Sequence, residues 1–311
     1  MQGTIIRNTG SEYTVLTENG EEILCKIKGK FRLKGIRTTN PVAVGDRVTI
    51  TRQDGDTSYI TEITPRKNYI IRRASNLSKE AHIIAANIDS AMLIITLYHP
   101  VTSTTFIDRF LSTAEAYSIP AILVINKIDL LTDEESLEYL DGIEYLYSSI
   151  GYKVIRTSAT NNLGIENLRH ELQGKTTLLS GNSGVGKTSI INALIPGLHL
   201  RTAEISATHL TGMHTTTFSE MFPLPDGGYI IDTPGVKGFG TIDYDIQNVS
   251  HYFPEIFHAS KGCRFSNCTH THEPGCAVID AIENQHIAQS RYNSYMSILE
   301  DIDHKKYRKG Y

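Results

Sequence analysis

The sequence predicts a chain of three units: a small β-barrel, a central α/β domain whose parallel sheet is covered by helices, and a C-terminal, mainly helical domain built around a metal cluster. Three observations predict it. Residues 1–67 alternate apolar and polar side chains in short runs separated by turn pairs. Residues 68–240 alternate apolar runs of strand length with helical stretches. Residues 241–311 hold three of the four cysteines, then a helical run and a basic end, HKKYRKG.

The first unit contains five strand candidates, GTIIRN, EYTVLTENG, EEILCKIKG, RVTITRQ and SYITEITPR, with Asn19-Gly20 and Asp54-Gly55 as turn pairs. Five short strands suggest a barrel, and the OB-fold is the commonest five-stranded solution. The segment KIKGKFRLKGIR has no acidic residue. If it stays extended, Lys26, Lys28, Lys30, Arg32 and Lys34 share one face. Such a face is either merely solvated or a nucleic-acid contact. Residues 1–75 contain 13 Lys/Arg and 8 Asp/Glu, a balance of +5, against −4 for the whole chain, so the remainder carries −9. The basic charge is concentrated at one end. Cys25 stands alone and reads as a buried, inert thiol.

The apolar fraction of 40% and charged fraction of 21% are those of an ordinary globular protein. No apolar run of about 18 residues exists to span a membrane. The N-terminus lacks the basic-then-apolar pattern of a signal peptide, so a cytoplasmic protein is expected.

In the central unit, strand candidates lie at 90–97, 121–125, 153–157, 176–180 and 229–231, with helices at 104–117, 133–148 and 187–194. Ligands of such sheets sit at the carboxyl ends of the strands. After the fourth of these runs comes G-x-x-x-x-G-K-T, comprising Gly181, Asn182, Ser183, Gly184, Val185, Gly186, Lys187 and Thr188, with Ser189 next. Glycines let successive backbone N–H groups turn inward around phosphate oxygens, and the following helix N-terminus adds its dipole. Lys187 is expected to reach the β- and γ-phosphates and the Thr188 hydroxyl to ligate Mg²⁺.

Base identity comes from Asn126, Lys127, Ile128 and Asp129, which end the strand AILVI. The Asp129 carboxylate can accept two hydrogen bonds from guanine N1–H and its exocyclic amine, a pair adenine does not offer. Ser158 and Ala159, after the next strand, supply a base-side loop whose Ala159 N–H would meet guanine O6. Asp232-Thr-Pro-Gly235 follows the strand YII; Asp232 would hold Mg²⁺ through water and the Gly235 N–H would contact the γ-phosphate. Between them lies His214-Thr215-Thr216-Thr217; Thr216 is the candidate to complete the Mg²⁺ shell.

The motifs therefore run guanine loop, base loop, phosphate loop, switch I, switch II, a rotation of the usual order. The sequence predicts a circularly permuted P-loop GTPase domain, with switch II handed directly to the C-terminal unit. Where many GTPases carry a water-orienting glutamine after the switch II glycine, this chain has Val236 and Lys237. Intrinsic hydrolysis should be slow. His214 either orients the water or accepts its proton, or is a surface histidine of a mobile loop.

Cys263-x4-Cys268-x-His270-x5-Cys276 offers three thiolates and one imidazole, a closed set suited to structural Zn²⁺. His272 competes with His270 for the nitrogen position.

The permuted motif order, the N-terminal barrel and the cysteine knuckle together resemble the ribosome small subunit-dependent GTPases, the RsgA family (also called YjeQ or YloQ). The resemblance implies a cytoplasmic, monomeric GTPase that acts late in maturation of the 30S subunit. It further implies 16S rRNA contacts from barrel and zinc domain, affinity set by the GTP state, and hydrolysis stimulated by the small subunit. Thr188 stands where serine is frequent in that family, and Met213 where arginine usually precedes the histidine. A GTP-gated switch acting on a protein partner is the competing reading; only RNA contact predicts binding that weakens steeply with salt.

Overall fold

The computed structural model describes residues 1–27, 41–52, 58–73, 81–200, 219–233 and 244–308. The first five strands, β1 (Gln2–Asn8), β2 (Tyr13–Thr17), β3 (Glu22–Ile27), β4 (Arg47–Arg52) and β5 (Ser58–Ile63), close on one another. Their order is β1-β2-β3-β5-β4, and β4 pairs back onto β1. Alternation explains the closure, because one face of each strand is apolar and the barrel buries all those faces together. Ile5, Val15, Cys25, Ile50 and Ile60 fill it. Burial pushes the Cys25 thiol up to about 11, so it stays protonated in the barrel core.

A hairpin absent from the sequence reading follows, β6 (Tyr69–Arg73) with β7 (Ala81–Ala86). Its apolar runs are too short for periodicity to distinguish strand from buried helix. The barrel is seated on it. Gly45, at φ +88°, approaches so closely that an added Cβ would lie 2.2 Å from Ala86 O. Beside it Arg66 donates to both carboxylate oxygens of the fully buried Asp46 at 2.6 Å.

The central domain comprises β8 (Ser90–Ile95), α1 (Thr104–Ala116), β9 (Ala121–Ile125), α2 (Glu134–Ile150), β10 (Lys153–Arg156), α3 (Ile165–Leu172), β11 (Thr176–Ser180), α4 (Lys187–Leu194), β12 (Glu220–Pro223) and β13 (Tyr229–Asp232). The strand order is β10-β9-β8-β11-β13-β12, parallel except for β12. All six residues of β8 are buried, as a central parallel strand requires. Leu93 and Ile95 face one apolar layer with α1 and α2, while Met92 and Ile94 face the other with α3 and α4. At the far edge β12 meets β1, where Arg7 pairs Glu220 both in register and by its side chain. The barrel and the parallel sheet are thus hydrogen-bonded into one surface.

The C-terminal domain contains α5 (Pro254–Ser260), α6 (Ala277–Glu283) and α7 (Gln289–Arg308). The helical run that the sequence predicts after the cysteines, over 277–299, is broken in two by the structure. Gln285 adopts a left-handed φ of 60°, and the N–H groups of His286 and Ile287 fold back onto Ala281 O. The break buries Ile287 in the domain core and lets α7 turn back along α1.

That α1–α7 contact is built on Arg291, which is fully buried. It donates to Asp108 of α1 at 2.8 Å and to Glu255 of α5 at 2.6 and 3.1 Å, and lies 4.7 Å from the Phe253 ring centroid. Tyr147 of α2 donates to the same Asp108 oxygen. Burial pushes the Asp108 carboxyl up, and the guanidinium opposes it. Removing one partner of such a buried group strands the others. Arg291→Met is expected to lower stability in urea by about 3–5 kcal/mol; a loss below about 1 kcal/mol would mean the pair behaves as a surface salt bridge.

Candidate nucleotide site and metal cluster

Four parallel strands bring the candidate residues together at their carboxyl ends. β9 delivers Asn126, Lys127, Ile128 and Asp129; β10 delivers Ser158 and Ala159; β11 delivers residues 181–189; β13 ends on Asp232. Asp232 stands in register with Leu179, two residues before the phosphate loop.

The phosphate loop turns on glycines with left-handed φ: Gly184 at 82° and Gly186 at 94°. At Gly186 a Cβ would meet Asn126 Nδ2 at 2.4 Å, so the loop closes on the guanine loop with no room for a side chain. Asn126 is buried and makes the joint. Its Nδ2 donates to Val185 O at 2.9 Å, and its Oδ1 accepts from Thr157 Oγ1 at 3.1 Å. Lys127, held at a left-handed φ of 64°, donates to Gly184 O and to His99 O, both at 2.7 Å. His99 belongs to the loop after β8. As a backbone acceptor it has no side-chain signature, and sequence reasoning passed over it.

Ala159 N–H does not stand free for a base carbonyl. It donates to Asn126 Oδ1 at 3.3 Å, a long bond on an oxygen already shared with Thr157. Lys187 Nζ donates to Gly181 O at 2.7 Å and Asn182 O at 2.8 Å. Burial lowers the Lys187 pKa, and Asp232 opposes the shift; burial likewise raises Asp232, opposed chiefly by Lys187. Two buried carboxylate oxygens in this cleft, Asp129 Oδ1 and Asp232 Oδ1, have no hydrogen-bond partner among the described residues. One lies in the guanine loop and the other beside the phosphate loop. Buried acceptors of this kind are costly unless a donor or cation meets them. The cleft therefore fits a guanine base at one end and a phosphate-bound divalent cation at the other.

His214, Thr216 and Gly235 lie outside the described residues, as do Lys28, Lys30, Arg32 and Lys34. Lys26 is exposed on β3, 3.8 Å from the Glu12 carboxylate.

In the C-terminal domain the ligand atoms of Cys263, Cys268, His270 and Cys276 all lie within 4.8 Å of one another. His270 Nδ1 is 3.6 Å from Cys263 Sγ and 3.5 Å from Cys276 Sγ, and those two sulfurs are 3.9 Å apart. Tetrahedral zinc with ordinary bond lengths requires about 3.6 Å between sulfur and nitrogen and about 3.8 Å between sulfurs. The donor set fits. His272 is outside it, its Nδ1 bonded to Thr271 Oγ1. The knuckle is braced from beneath: Tyr292 donates to His270 O and Tyr295 to Thr269 O from α7. Glu273 also braces it, accepting from the Thr269, Thr271 and His272 N–H groups. Burial would raise that carboxyl, but these bonds outweigh it and hold Glu273 far below the usual range. No motif pointed to Glu273.

Among the described residues no helix is long and apolar enough to cross a membrane. Known proteins resemble this chain over nearly its full length. The family model described as RsgA GTPase matches residues 63–242, and that of the RsgA N-terminal domain matches residues 2–60. A curated Bacteroides fragilis protein, small ribosomal subunit biogenesis GTPase RsgA, is 59% identical across 100% of both chains. Its Phocaeicola vulgatus counterpart is 58% identical, again across 100% of both. Among solved structures, YjeQ from Thermotoga maritima superposes with a TM-score of 0.77 at 37% identity, covering 97% of this chain and 98% of that one. YloQ, described as a circularly permuted GTPase, gives a TM-score of 0.75 at 30% identity, covering 98% and 95%. With its permuted sheet, its phosphate loop and these relatives, the chain belongs to the RsgA family of GTPases.

Proposed function

We propose that this protein is a GTP hydrolase of late 30S subunit assembly in the cytoplasm, which binds the small subunit and its 16S rRNA as a monomer in a GTP-dependent way and is stimulated by it. The observation that carries the nucleotide half of the reading is the pair of buried, unpartnered carboxylate oxygens at Asp129 and Asp232, on either side of a glycine loop. The ribosomal half rests on relatives named for small-subunit biogenesis.

In this reading Asp129 accepts from the guanine edge. Asn126 and Lys127 fix the phosphate loop against it, and residues 181–189 line the phosphates with backbone N–H groups. Lys187 supplies the cation. Thr188 and Asp232 would hold Mg²⁺, which when bound offsets charge on the β- and γ-phosphates. Thr216, Gly235 and His214 remain the proposed switch and water-orienting residues. The chain divides into an RNA-binding barrel (1–67), the GTPase domain (68–240) and a zinc domain (241–311). Lys26, Lys28, Lys30, Arg32 and Lys34 form the barrel's RNA face.

The Cys₃His set would hold one structural zinc with no open position, so it stabilises the fold and takes no part in hydrolysis. Metal analysis of purified protein is expected to give one zinc per chain. Cys276→Ser should lose it and melt the C-terminal domain while GDP binding persists. Protein that carries no zinc would sink the assignment.

The functional reading is tested by GTP hydrolysis with and without purified 30S subunits. Slow intrinsic turnover and stimulation of at least about tenfold are expected, since no glutamine follows switch II. Equal rates with and without subunits would overturn it.

A further inference from the structure

The loop between β8 and α1 is tied shut by two threonines. Thr96 N–H donates to Thr102 Oγ1 at 3.2 Å, Thr102 N–H donates to Thr96 O at 2.9 Å, and the Thr96 hydroxyl donates to Pro100 O. Both threonines are buried, whereas the chain they enclose is not: Tyr98 is 54% exposed and Val101 68%. A buried hydroxyl costs stability unless it is bonded, so these two need a reason to be there. The helix does not supply it. α1 has its own cap at Ser103, whose hydroxyl accepts from Phe106 N–H at 3.3 Å. Neither does the sheet, because β8 ends at Ile95.

What the tied loop delivers beyond itself is the carbonyl of His99, which accepts from Lys127 Nζ at 2.7 Å. Both ends of that contact are left-handed, His99 at φ 43° and Lys127 at φ 64°. Residues other than glycine seldom enter that region and stay there only where surrounding bonds fix them. A lysine ammonium carries three N–H donors. His99 O and Gly184 O take two of them, and neither acceptor is a carboxylate. The ammonium is thus aimed without being neutralised, and its third N–H stays available to a ligand in the cleft.

From this arrangement we infer that Thr96 and Thr102 are positioning residues of the nucleotide site, holding the Lys127 ammonium against the phosphate loop through the His99 carbonyl. A lysine side chain has many rotamers to lose, and fixing it before the nucleotide arrives removes that cost from binding. Neither threonine belongs to the loops that line the cleft; both act through Lys127. Lys127 stands in the guanine loop, whereas Lys187 and Asp232 stand at the phosphate end. Affinity and nucleotide release therefore respond to the threonines, and the chemical step does not. This rests on the guanine-nucleotide reading of the cleft.

The test follows release of a fluorescent GDP analogue from the full-length protein by stopped flow, together with KM and kcat for GTP. Thr96→Val and Thr102→Val each remove one hydroxyl at nearly constant shape; Thr96→Ser and Thr102→Ser keep it. Each valine variant is expected to release GDP about tenfold faster, the factor for losing one net hydrogen bond to a charged group. KM should rise by about the same factor, since it tracks affinity when chemistry is slow, with kcat held within about twofold. The serine variants should stay within about threefold of the parent. In a Lys127→Met background the valine substitutions should add less than about twofold, because both act through one ammonium. Thermal unfolding is recorded for every variant, and either threonine carries the test if the other variant fails to fold. Valine variants that release GDP at the parental rate, that lower kcat at unchanged KM, or that add their full effect to Lys127→Met would overturn the inference while leaving the guanine site intact. A parent protein that binds no GDP would overturn the guanine reading itself, and the inference with it.

Discussion

The carboxamide of Asn126 joins loops that the chain delivers far apart. It reaches Val185 across 59 residues of sequence and accepts from Thr157 and Ala159 on its other side. Lys127 adds a second tie to Gly184 across 57 residues. Without these bonds the guanine loop, the base loop and the phosphate loop would be three separate strand ends. The contact also explains Gly186, where any side chain would collide with Asn126 Nδ2.

Permutation is tolerated because a parallel sheet is defined by which strands pair, and each βα unit carries its own loop to the same edge. Re-cutting the chain places β8 and α1 ahead of the phosphate loop. In consequence α1 is free to serve as the dock for α7 through Asp108 and Arg291. The loop between β8 and α1 supplies His99 O to Lys127. The loop that backs Lys127 therefore runs directly into the helix that docks the C-terminal domain, in addition to the covalent link that follows Asp232. The barrel is anchored separately by Arg66, Asp46 and the Arg7–Glu220 pair.

Local chemistry was legible in the sequence; long-range chemistry was not. Asn126 to Asp129, residues 181–188 and the cysteine knuckle each announce themselves within a few residues, because turn geometry and ligand spacing are local demands. The barrel strands were visible for the same reason, since one face of each had to be apolar. The helix break at Gln285 was hidden because Glu283, Asn284 and His286 are as acceptable on an exposed helical face as in a turn. The Arg291–Asp108 pair spans 183 residues, and nothing near either one marks it. The hairpin β6–β7 was obscured by the brevity of its apolar runs.

The central claim is that one guanine-nucleotide site is assembled by the Asn126 joint. Calorimetric titration of the Asn126→Ala variant with GDP tests it most directly, alongside thermal unfolding to show that the variant is folded. Each buried group left unsatisfied costs about 1–3 kcal/mol. Affinity is therefore expected to fall by about thirtyfold or more. A folded variant that binds GDP within about threefold of the parent would contradict the claim, because the loops would then hold their places without the joint.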